Sequence, residues 1–153
     1  MPLLRALAVN LARVPDAAFA ILPRFPALRE LTAIGLADAG FLHVGACTAL
    51  ESLTCTYTEG MGDAATRQLL ELRKLRKYHA GETRITDESL ALLATLPSLE
   101  SVELWDCPAV TNEGLRALAA APRLRQVTAE GLPLVTRDVP RVFPASVTVN
   151  MAW

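Results

Sequence analysis

A leucine pattern recurs along the whole chain at intervals of 22 to 25 residues, and this period limits the fold more than any other feature. Each occurrence has the form Leu-x-x-Leu-x-Leu, with other apolar residues in place of some leucines. The occurrences are Leu4, Leu7, Val9; Leu28, Leu31, Ala33; Leu50, Leu53, Cys55; Leu75, Tyr78, Ala80; Leu99, Val102, Leu104; and Leu124, Val127, Ala129. A period of this length indicates one supersecondary unit stacked on copies of itself.

A second series follows the first along the chain. It consists of small acidic or amide residues, namely Asp16, Asp38, Asp63, Asp87, Asn112 and Asp138. These residues are spaced by 22, 25, 24, 25 and 26 residues, and the first leucines by 24, 22, 25, 24 and 25. Because the intervals of the two series change in near-parallel along the chain, we interpret both series as parts of one repeating unit.

Each unit has the pattern of a strand followed by a helix. The alternation in Val102–Trp105 has period two, which predicts a short half-buried strand. Leu90 and Leu93 have helical spacing, and Thr86 or Asp87 before them is a suitable N-cap. Prolines lie between the helix of one unit and the strand of the next, where a helix must stop.

Six such units and one extra strand account for the chain. The units are 2–25, 26–47, 48–72, 73–96, 97–121 and 122–143, and the terminal strand is Val147–Met151. We expect a right-handed α/β solenoid with parallel strands on its concave face and helices on its convex face. No linker composition interrupts the series, so residues 1–153 are predicted to form a single domain. In the terminal strand, Ser146, Thr148 and Asn150 are predicted to face outward. Their expected lateral partners are Gln126, Thr128 and Glu130, in that order.

Composition narrows the function. The formal net charge of −1 gives no overall attraction to nucleic acid or to an anionic membrane, so neither is a predicted partner. No apolar run approaches the roughly 18 residues of a membrane helix. The three cysteines lack metal-binding spacing and cannot all pair, which favours a reducing, cytoplasmic compartment. The richness in alanine and arginine suggests a bacterial source.

The pattern is most specific between residues 85 and 124. There Ile85-Thr86-Asp87 and Val110-Thr111-Asn112-Glu113-Gly114-Leu115 precede the helical leucines, and Cys107 follows a strand. This segment resembles the cysteine-containing, ribonuclease-inhibitor-like subtype of leucine-rich repeat protein found in F-box-associated substrate receptors. The short array with a terminal strand is similar to that of ATP synthase coupling factor B. Only Cys107 matches the family cysteine, and no F-box pattern is present. The other units carry Leu36, Thr58, Thr83 and Leu132 near that place.

The resemblance implies a protein-binding scaffold whose outward strand residues contact a protein partner. Most outward residues are small and polar, and the exceptions gather in neighbouring repeats. The predicted partner-binding residues are Tyr57, Lys77, His79, Glu103, Trp105, Asp106 and Glu130. We interpret Trp105 as the main anchor, because exposed aromatic residues often dominate binding. In the alternative interpretation, its indole bends over a neighbouring strand and covers the sheet.

Catalysis is not predicted. His79 and Glu103 are expected to be lateral neighbours, but no second histidine completes a metal site, and a simple cross-strand pair is the preferred interpretation. Cys55 belongs to the buried column and is therefore a poor nucleophile. We find no motif for phosphate, metal or cofactor binding. The chain is therefore expected to be a non-enzymatic interaction module without a cofactor.

Two further features leave alternatives open. The edge strands of such a sheet offer unpaired backbone groups, so self-association or an assembly and adaptor role that uses the end strands is the second functional hypothesis. Charged side chains also segregate along the chain. The basic group is Arg67, Arg73, Lys74, Arg76, Lys77 and Arg84, and the acidic group is Glu100, Glu103, Asp106, Glu113 and Glu130. These groups are interpreted either as a bipolar surface that orients a partner or as ordinary solvated charge.

Overall fold

Within residues 3–10 and 15–153, seven parallel strands form one sheet, and their order in the sheet is their order in the sequence. The computed structural model describes residues 3–10 and 15–153; the side chain of Asp16 lies outside the described part. The strands are β1 Ala6–Asn10, β2 Glu30–Ile34, β3 Ser52–Thr56, β4 Lys77–Gly81, β5 Ser101–Trp105, β6 Gln126–Glu130 and β7 Thr148–Ala152. Each strand therefore begins one repeat, as the leucine period predicts.

Helical segments connect successive strands on one side of the sheet. The α-helices are α1 Phe41–Gly45, α2 Asp63–Gln68, α3 Asp87–Leu93 and α4 Asn112–Leu118. Three further segments, Asp16–Arg24, Asp38–Gly40 and Val139–Val142, are 3-10 helices. The expectation of an α-helix is thus wrong for the first and last units. Pro23 lies inside the first of these segments, where proline cannot supply an N–H to a helical ladder. Pro140 lies in the first turn of the last segment, where an N–H has no helical partner in any case.

The central helices begin at threonine N-caps. The Thr86 side chain accepts a hydrogen bond from the Glu88 N–H at 3.2 Å, and the Thr111 side chain accepts one from the Glu113 N–H at 3.1 Å. Thr86 is therefore the cap of α3, and Asp87 is its first helical residue. A threonine oxygen at this position satisfies one of the N–H groups that lack a partner within the helix.

Four members of the acidic and amide series, Asp38, Asp63, Asp87 and Asn112, connect one repeat to the next. Asp38 accepts a hydrogen bond from the Gly62 N–H at 2.8 Å. Asp63 accepts bonds from the Thr86 N–H at 2.9 Å, the Thr86 hydroxyl at 2.8 Å and the Ser89 hydroxyl at 2.5 Å. Each carboxylate thus holds the start of the following helical segment in place.

The same arrangement continues towards the C-terminus. Asp87 accepts bonds from the Thr111 N–H at 2.7 Å and the Thr111 hydroxyl at 2.6 Å. Asn112 accepts a bond from the Thr136 N–H at 2.9 Å, and its amide donates to the Thr136 hydroxyl at 2.7 Å. The central members of the second sequence series therefore form a ladder of contacts between repeats, whereas Asp138 accepts a hydrogen bond from the Thr136 hydroxyl within its own unit.

One apolar core runs beneath the sheet. Inward strand residues such as Leu31, Leu53 and Leu104 are almost fully buried, and Tyr78 replaces leucine in β4 at 1% exposure. The core is continuous from the first helical segment, which contributes Phe19 and Leu22, to the last, while the inward residues of β1 and β7 pack against it half-buried. Stacking of similar units builds this core, because one unit alone could not bury both of its faces.

The predicted register of the terminal strand is wrong by two residues. Gln126 pairs with Thr148, and Thr128 pairs with Asn150, so Ser146 precedes the strand. A shift of two residues leaves inward and outward faces unchanged, whereas a shift of one would exchange them. The period-two alternation could therefore predict the faces of β7 but not its lateral partners.

These elements form a curved leucine-rich repeat solenoid of α/β type, with the sheet on one side and the helical segments on the other. All neighbouring strands pair in parallel over five residues. Among residues 3–10 and 15–153, no helix has both the length and the apolar character needed to cross a bilayer. The regular register places outward residues of different repeats side by side, and this decides the geometry of the candidate site.

Candidate protein-binding surface

The predicted surface residues lie on the outward face of β4 to β6 and at the carboxyl ends of the strands. His79 pairs laterally with Glu103, and Trp105 lies between Gly81 of β4 and Glu130 of β6. We call the last residue of each strand together with the next residue the carboxyl edge of the sheet. Neighbouring strands are about 4.8 Å apart, so residues from four repeats approach one another along this edge.

Tyr57 and Trp105 form an aromatic pair at the carboxyl edge. Their ring centroids are 5.6 Å apart with an interplanar angle of 82°, which is an edge-to-face contact. The Tyr57 side chain is 56% exposed, and Trp105 is half-buried. The two residues are 48 positions apart in the chain, and the stacking of three repeats brings them together.

Gly81 makes room for the indole of Trp105. A β-carbon built on Gly81 would lie 1.9 Å from the Trp105 Nε1 atom, so the ring covers the backbone of β4 directly. The structure therefore combines the two interpretations of Trp105. The indole does bend over the neighbouring strand, and it also remains partly open to solvent beside an exposed tyrosine.

The first residue after each central strand has a left-handed backbone conformation. The φ angles are 53° for Tyr57, 51° for Glu82 and 48° for Asp106, whereas glycine occupies the equivalent positions 35 and 131. This conformation costs a non-glycine residue about 1–2 kcal/mol. The Tyr57 N–H donates to the Gly81 carbonyl at 3.1 Å. In the same way, the N–H groups of Glu82 and Asp106 donate to the carbonyls of the next strand, each at 3.0 Å. The sheet ladder thus stabilises three strained residues at one edge.

The left-handed turn directs the following side chain into the core. Those following side chains are Leu36, Thr58, Thr83, Cys107 and Leu132, and all are buried. The Cys107 thiol lies 3.3 Å from the Thr83 hydroxyl. The position identified from the resemblance is therefore a true structural column, occupied by cysteine, threonine or leucine in different repeats.

His79 and Glu103 are neighbours without a hydrogen bond. The distance from His79 Nδ1 to the Glu103 carboxylate is 3.8 Å, which exceeds hydrogen-bonding range. The His79 Nε2 atom is buried and has no hydrogen-bond partner among the described residues. Within residues 3–10 and 15–153, no cluster of three potential ligands could hold a metal ion. The pair is thus a lateral contact on the outward face.

Lys77 does not join the aromatic pair. It begins β4, four residues before Gly81, and a strand rises about 3.3 Å per residue, so the separation is about 13 Å. It lies beside Arg76, whose guanidinium donates to Glu100 at 2.9 Å. That contact lowers the pKa of the Glu100 carboxyl below its usual value. Lys77 therefore belongs to the opposite, amino edge of the sheet.

The segregated charges are partly neutralised by cross-repeat pairs. Arg29 pairs with Glu51, and Arg67 pairs with Glu88. Within α4, Arg116 pairs with Glu113. The basic group predicted from the sequence is therefore not a uniform cationic patch. The acidic residues of the carboxyl edge take no part in these arginine pairs.

A polar hollow of about 610 Å³ opens beside the carboxyl edge. It is lined by Glu59, Gly60, Glu82, Thr83, Arg84, Asp106 and Pro108. A second, mainly apolar hollow of about 520 Å³ lies on the other side of Asp106, between Gly131 and Trp153. Asp106 borders both hollows, so it separates a polar recess from an apolar one.

All three cysteines are free and buried. Burial raises the pKa of the Cys47 thiol to about 11 and raises the pKa values of Cys55 and Cys107 as well. A thiol with a raised pKa carries little thiolate at neutral pH and is a weak nucleophile. The expectation that Cys55 is a buried core residue is confirmed.

Several contributors to this surface were not predicted from the sequence. Gly81 provides the space under the indole, and Glu82 and Glu59 add carboxylates to the rim of the polar hollow. Glycine at the end of a strand is a signal of close approach that could have indicated the first. The other two lie outside the alternating strand positions, so the period of two carries no information about them.

Replacing Gly81 with alanine should displace the Trp105 indole without removing either aromatic side chain. Because the new β-carbon would occupy the position of the ring, we expect the Tyr57 contact to be lost, with a cost of about 1–2 kcal/mol in stability. Tryptophan fluorescence in a Trp153→Phe background would report the change. Gly62→Ala is the control, since its β-carbon would come no closer than 3.9 Å to any atom. An unchanged emission spectrum would contradict the described ring position.

No protein-family model matches the chain, and no curated protein matches its sequence significantly. Solved structures do match it. One is described as the crystal structure of a complex of Rad7 and Elc1 in yeast, and it overlaps with a TM-score of 0.62 at 22% sequence identity. The match covers 92% of this chain and 44% of that chain, so this chain spans less than half of its length. At this level of identity, the likeness shows that the two share the repeat-solenoid fold.

Proposed function

We propose that this protein is an interaction module that binds a protein partner at the carboxyl edge and the adjoining outward face of β4 to β6. The observation that carries the proposal is the partly exposed Tyr57–Trp105 pair, for which Gly81 makes room. Aromatic side chains that are held rigidly and remain partly exposed are typical binding anchors. Strained backbone next to them, as at Tyr57 and Glu82, is also common at functional sites.

The proposal extends to the finer features expected from the sequence. Membership of the cysteine-containing subtype is supported by Cys107 and by Thr83 in the same buried column. A cytoplasmic location is supported by the three free cysteines. A non-enzymatic role is supported by the high pKa values of the thiols and by the distance between His79 and Glu103. The Rad7 and Elc1 structure is a complex, and a role in complexes is proposed for this chain also.

Photo-crosslinking can identify the partner and locate its site. A benzoylphenylalanine in place of Thr54, on the outward face of β3, should capture the partner in cells of the source organism. The same group in place of Ala64, on the exposed side of α2, is the matched control and should not.

With the partner identified, Trp105→Ala should weaken its binding at least tenfold, which corresponds to about 1.4 kcal/mol. The truncation removes the larger ring of the aromatic pair but leaves the apolar core intact. Leu42→Ala is the control, because Leu42 is 60% exposed on the helical side of the molecule. Affinity would be measured by calorimetry and folding by urea denaturation. A Trp105→Ala variant that is folded and binds with unchanged affinity would eliminate this site.

The second candidate is an assembly role through the edge strands. Leu7 and Val9 of β1 and Val149 and Met151 of β7 continue the buried columns but are only half-buried. Docking of a further strand would cover them. Analytical ultracentrifugation over a wide concentration range tests this alternative: a protein that docks through its edges should self-associate, whereas a constant monomer mass would favour the carboxyl-edge proposal.

A further inference from the structure

Unpaired carboxylates surround the aromatic pair. Glu59, Glu82 and Asp106 line the polar hollow, and Glu130 is the lateral neighbour of Trp105 on β6. Among the described residues, none of these four carboxylates takes part in an ion pair. Repulsion between them is therefore not relieved by an ion pair with any described residue, and a positive group from a partner would relieve it.

The opposite edge of the same sheet behaves differently. The residues that precede the strands are Arg5, Arg29, Glu51, Arg76, Glu100 and Arg125. Here the carboxylates have arginine partners in the preceding repeat, as in the Arg76–Glu100 pair at 2.9 Å. The two carboxylates that immediately precede strands thus have arginine partners, whereas the four at the carboxyl edge have none among the described residues.

Arg84 is the cation among the residues that line the polar hollow. It is exposed and makes no ion pair with the described residues. Three carboxylates face one guanidinium there, so the hollow keeps an excess of negative charge. Arg84 should therefore weaken the binding of a cation. Removing Arg84 should strengthen that binding, whereas removing a carboxylate should weaken it.

We infer that the partner presents a positively charged, arginine-containing segment to the carboxyl edge, with one guanidinium on the Tyr57–Trp105 rings and its neighbours against Glu82 and Asp106. This inference rests on the proposed function and specifies the chemistry of the partner. Arginine fits better than lysine, because its planar guanidinium stacks on aromatic rings, is weakly hydrated and can form two parallel bonds with one carboxylate. The aromatic rings and the carboxylates then act on neighbouring side chains of one segment.

A fluorescein-labelled peptide of alternating glycine and arginine is a direct probe. Its twin carries citrulline in place of each arginine, which keeps the shape and removes the charge. Fluorescence anisotropy with the full chain should detect the arginine peptide and should show at least fivefold weaker binding of the citrulline peptide. The difference should shrink as salt rises from 20 mM to 500 mM, because salt screens exposed charges.

Three variants separate the contributions. The double variant Glu82→Gln, Asp106→Asn should weaken arginine-peptide binding about fivefold, since exposed charge pairs contribute modestly. Asparagine tolerates the left-handed conformation of position 106, so the backbone is preserved. Arg84→Ala should strengthen binding about twofold. Glu71→Gln, an exposed carboxylate outside this edge, should leave it unchanged.

The inference is overturned if the arginine peptide does not bind at millimolar concentration, if the citrulline peptide binds equally well, or if the double variant binds like the wild type. Its failure differs from failure of the proposed function. A crosslinked partner that is weakened by Trp105→Ala but unaffected by Glu82→Gln, Asp106→Asn would retain the protein-binding site and exclude a cationic partner segment.

Discussion

Replacing Asp63 with alanine should lower the free energy of unfolding by about 3 kcal/mol, because three hydrogen-bond donors would lose their acceptor. The Thr86 N–H and hydroxyl and the Ser89 hydroxyl all point at this one carboxylate. Ser89 is fully buried, and its proton is committed to Asp63, so the Thr66 hydroxyl 2.7 Å away must donate to Ser89. The loss would therefore extend from one repeat into the next.

Matched variants compare the contributions of individual ladder residues to the free energy of unfolding. Asp38→Ala removes a single bond, to the Gly62 N–H, and should cost about 1 kcal/mol. Asp63→Asn should cost less than Asp63→Ala, because Asn112 performs the equivalent role with Thr136. Urea denaturation at pH 7 gives all three values. Equal costs for Asp63→Ala and Asp38→Ala would contradict the ladder.

Asp63 should also make stability depend on pH. Burial alone would raise the pKa of this carboxyl, but hydrogen bonds from Ser89 and Thr86 outweigh burial and lower it below its usual value. A lowered pKa means that the stabilisation is complete above the unfolded value of about 3.9 and is lost as the pH falls through the folded value. The difference in stability between the wild type and Asp63→Asn should therefore shrink between pH 5 and strongly acidic conditions.

Gly45→Ala should destabilise the protein by about 3 kcal/mol, at the upper end of the usual cost of overpacking. A β-carbon on this residue of α1 would lie 2.0 Å from the carbonyl oxygen of Gln68 and 3.0 Å from its carbonyl carbon. Both atoms are backbone at the end of α2, so no side-chain rotation can relieve the contact. The two repeats would have to separate.

Helix propensity alone predicts the opposite sign for this substitution. Alanine is favoured over glycine by about 1 kcal/mol inside a helix, so an isolated α1 would be stabilised. Gly62→Ala is the matched control, since its β-carbon would have no atom closer than 3.9 Å. Thermal and urea denaturation of both variants would test this packing. A Gly45→Ala protein as stable as the wild type would disprove the close approach of α1 to α2.

The fold was predictable because each repeat restates the same pattern. The leucine columns, the strand starts and the Thr86 cap follow from local periodicity and capping preferences. The predictions that were wrong concern features that periodicity and capping preferences do not determine. The register of β7 was wrong by two residues because alternation cannot distinguish shifts of two. The terminal units form 3-10 helices, which the leucine period does not distinguish from α-helices.

The candidate site was predictable in its location and not in its construction. Alternation along β5 indicates that Glu103 and Trp105 point outward, and the parallel register brings His79 and Glu130 beside them. Whether the indole stood free or covered the sheet could not be decided from alternation. That depended on an absent β-carbon at Gly81, 24 residues earlier in the chain.

The sequence by itself determined the repeat length, the inward and outward faces, and the residues that form the core. These follow from periodicities within a single strand or helix, which depend only on residues that are close together in the chain. The tertiary structure alone decided the Tyr57–Trp105 contact, the left-handed turns that gather Glu82 and Asp106, and the Asp63 ladder. Each of these joins residues about one repeat or more apart, so it exists only after stacking has placed the repeats side by side.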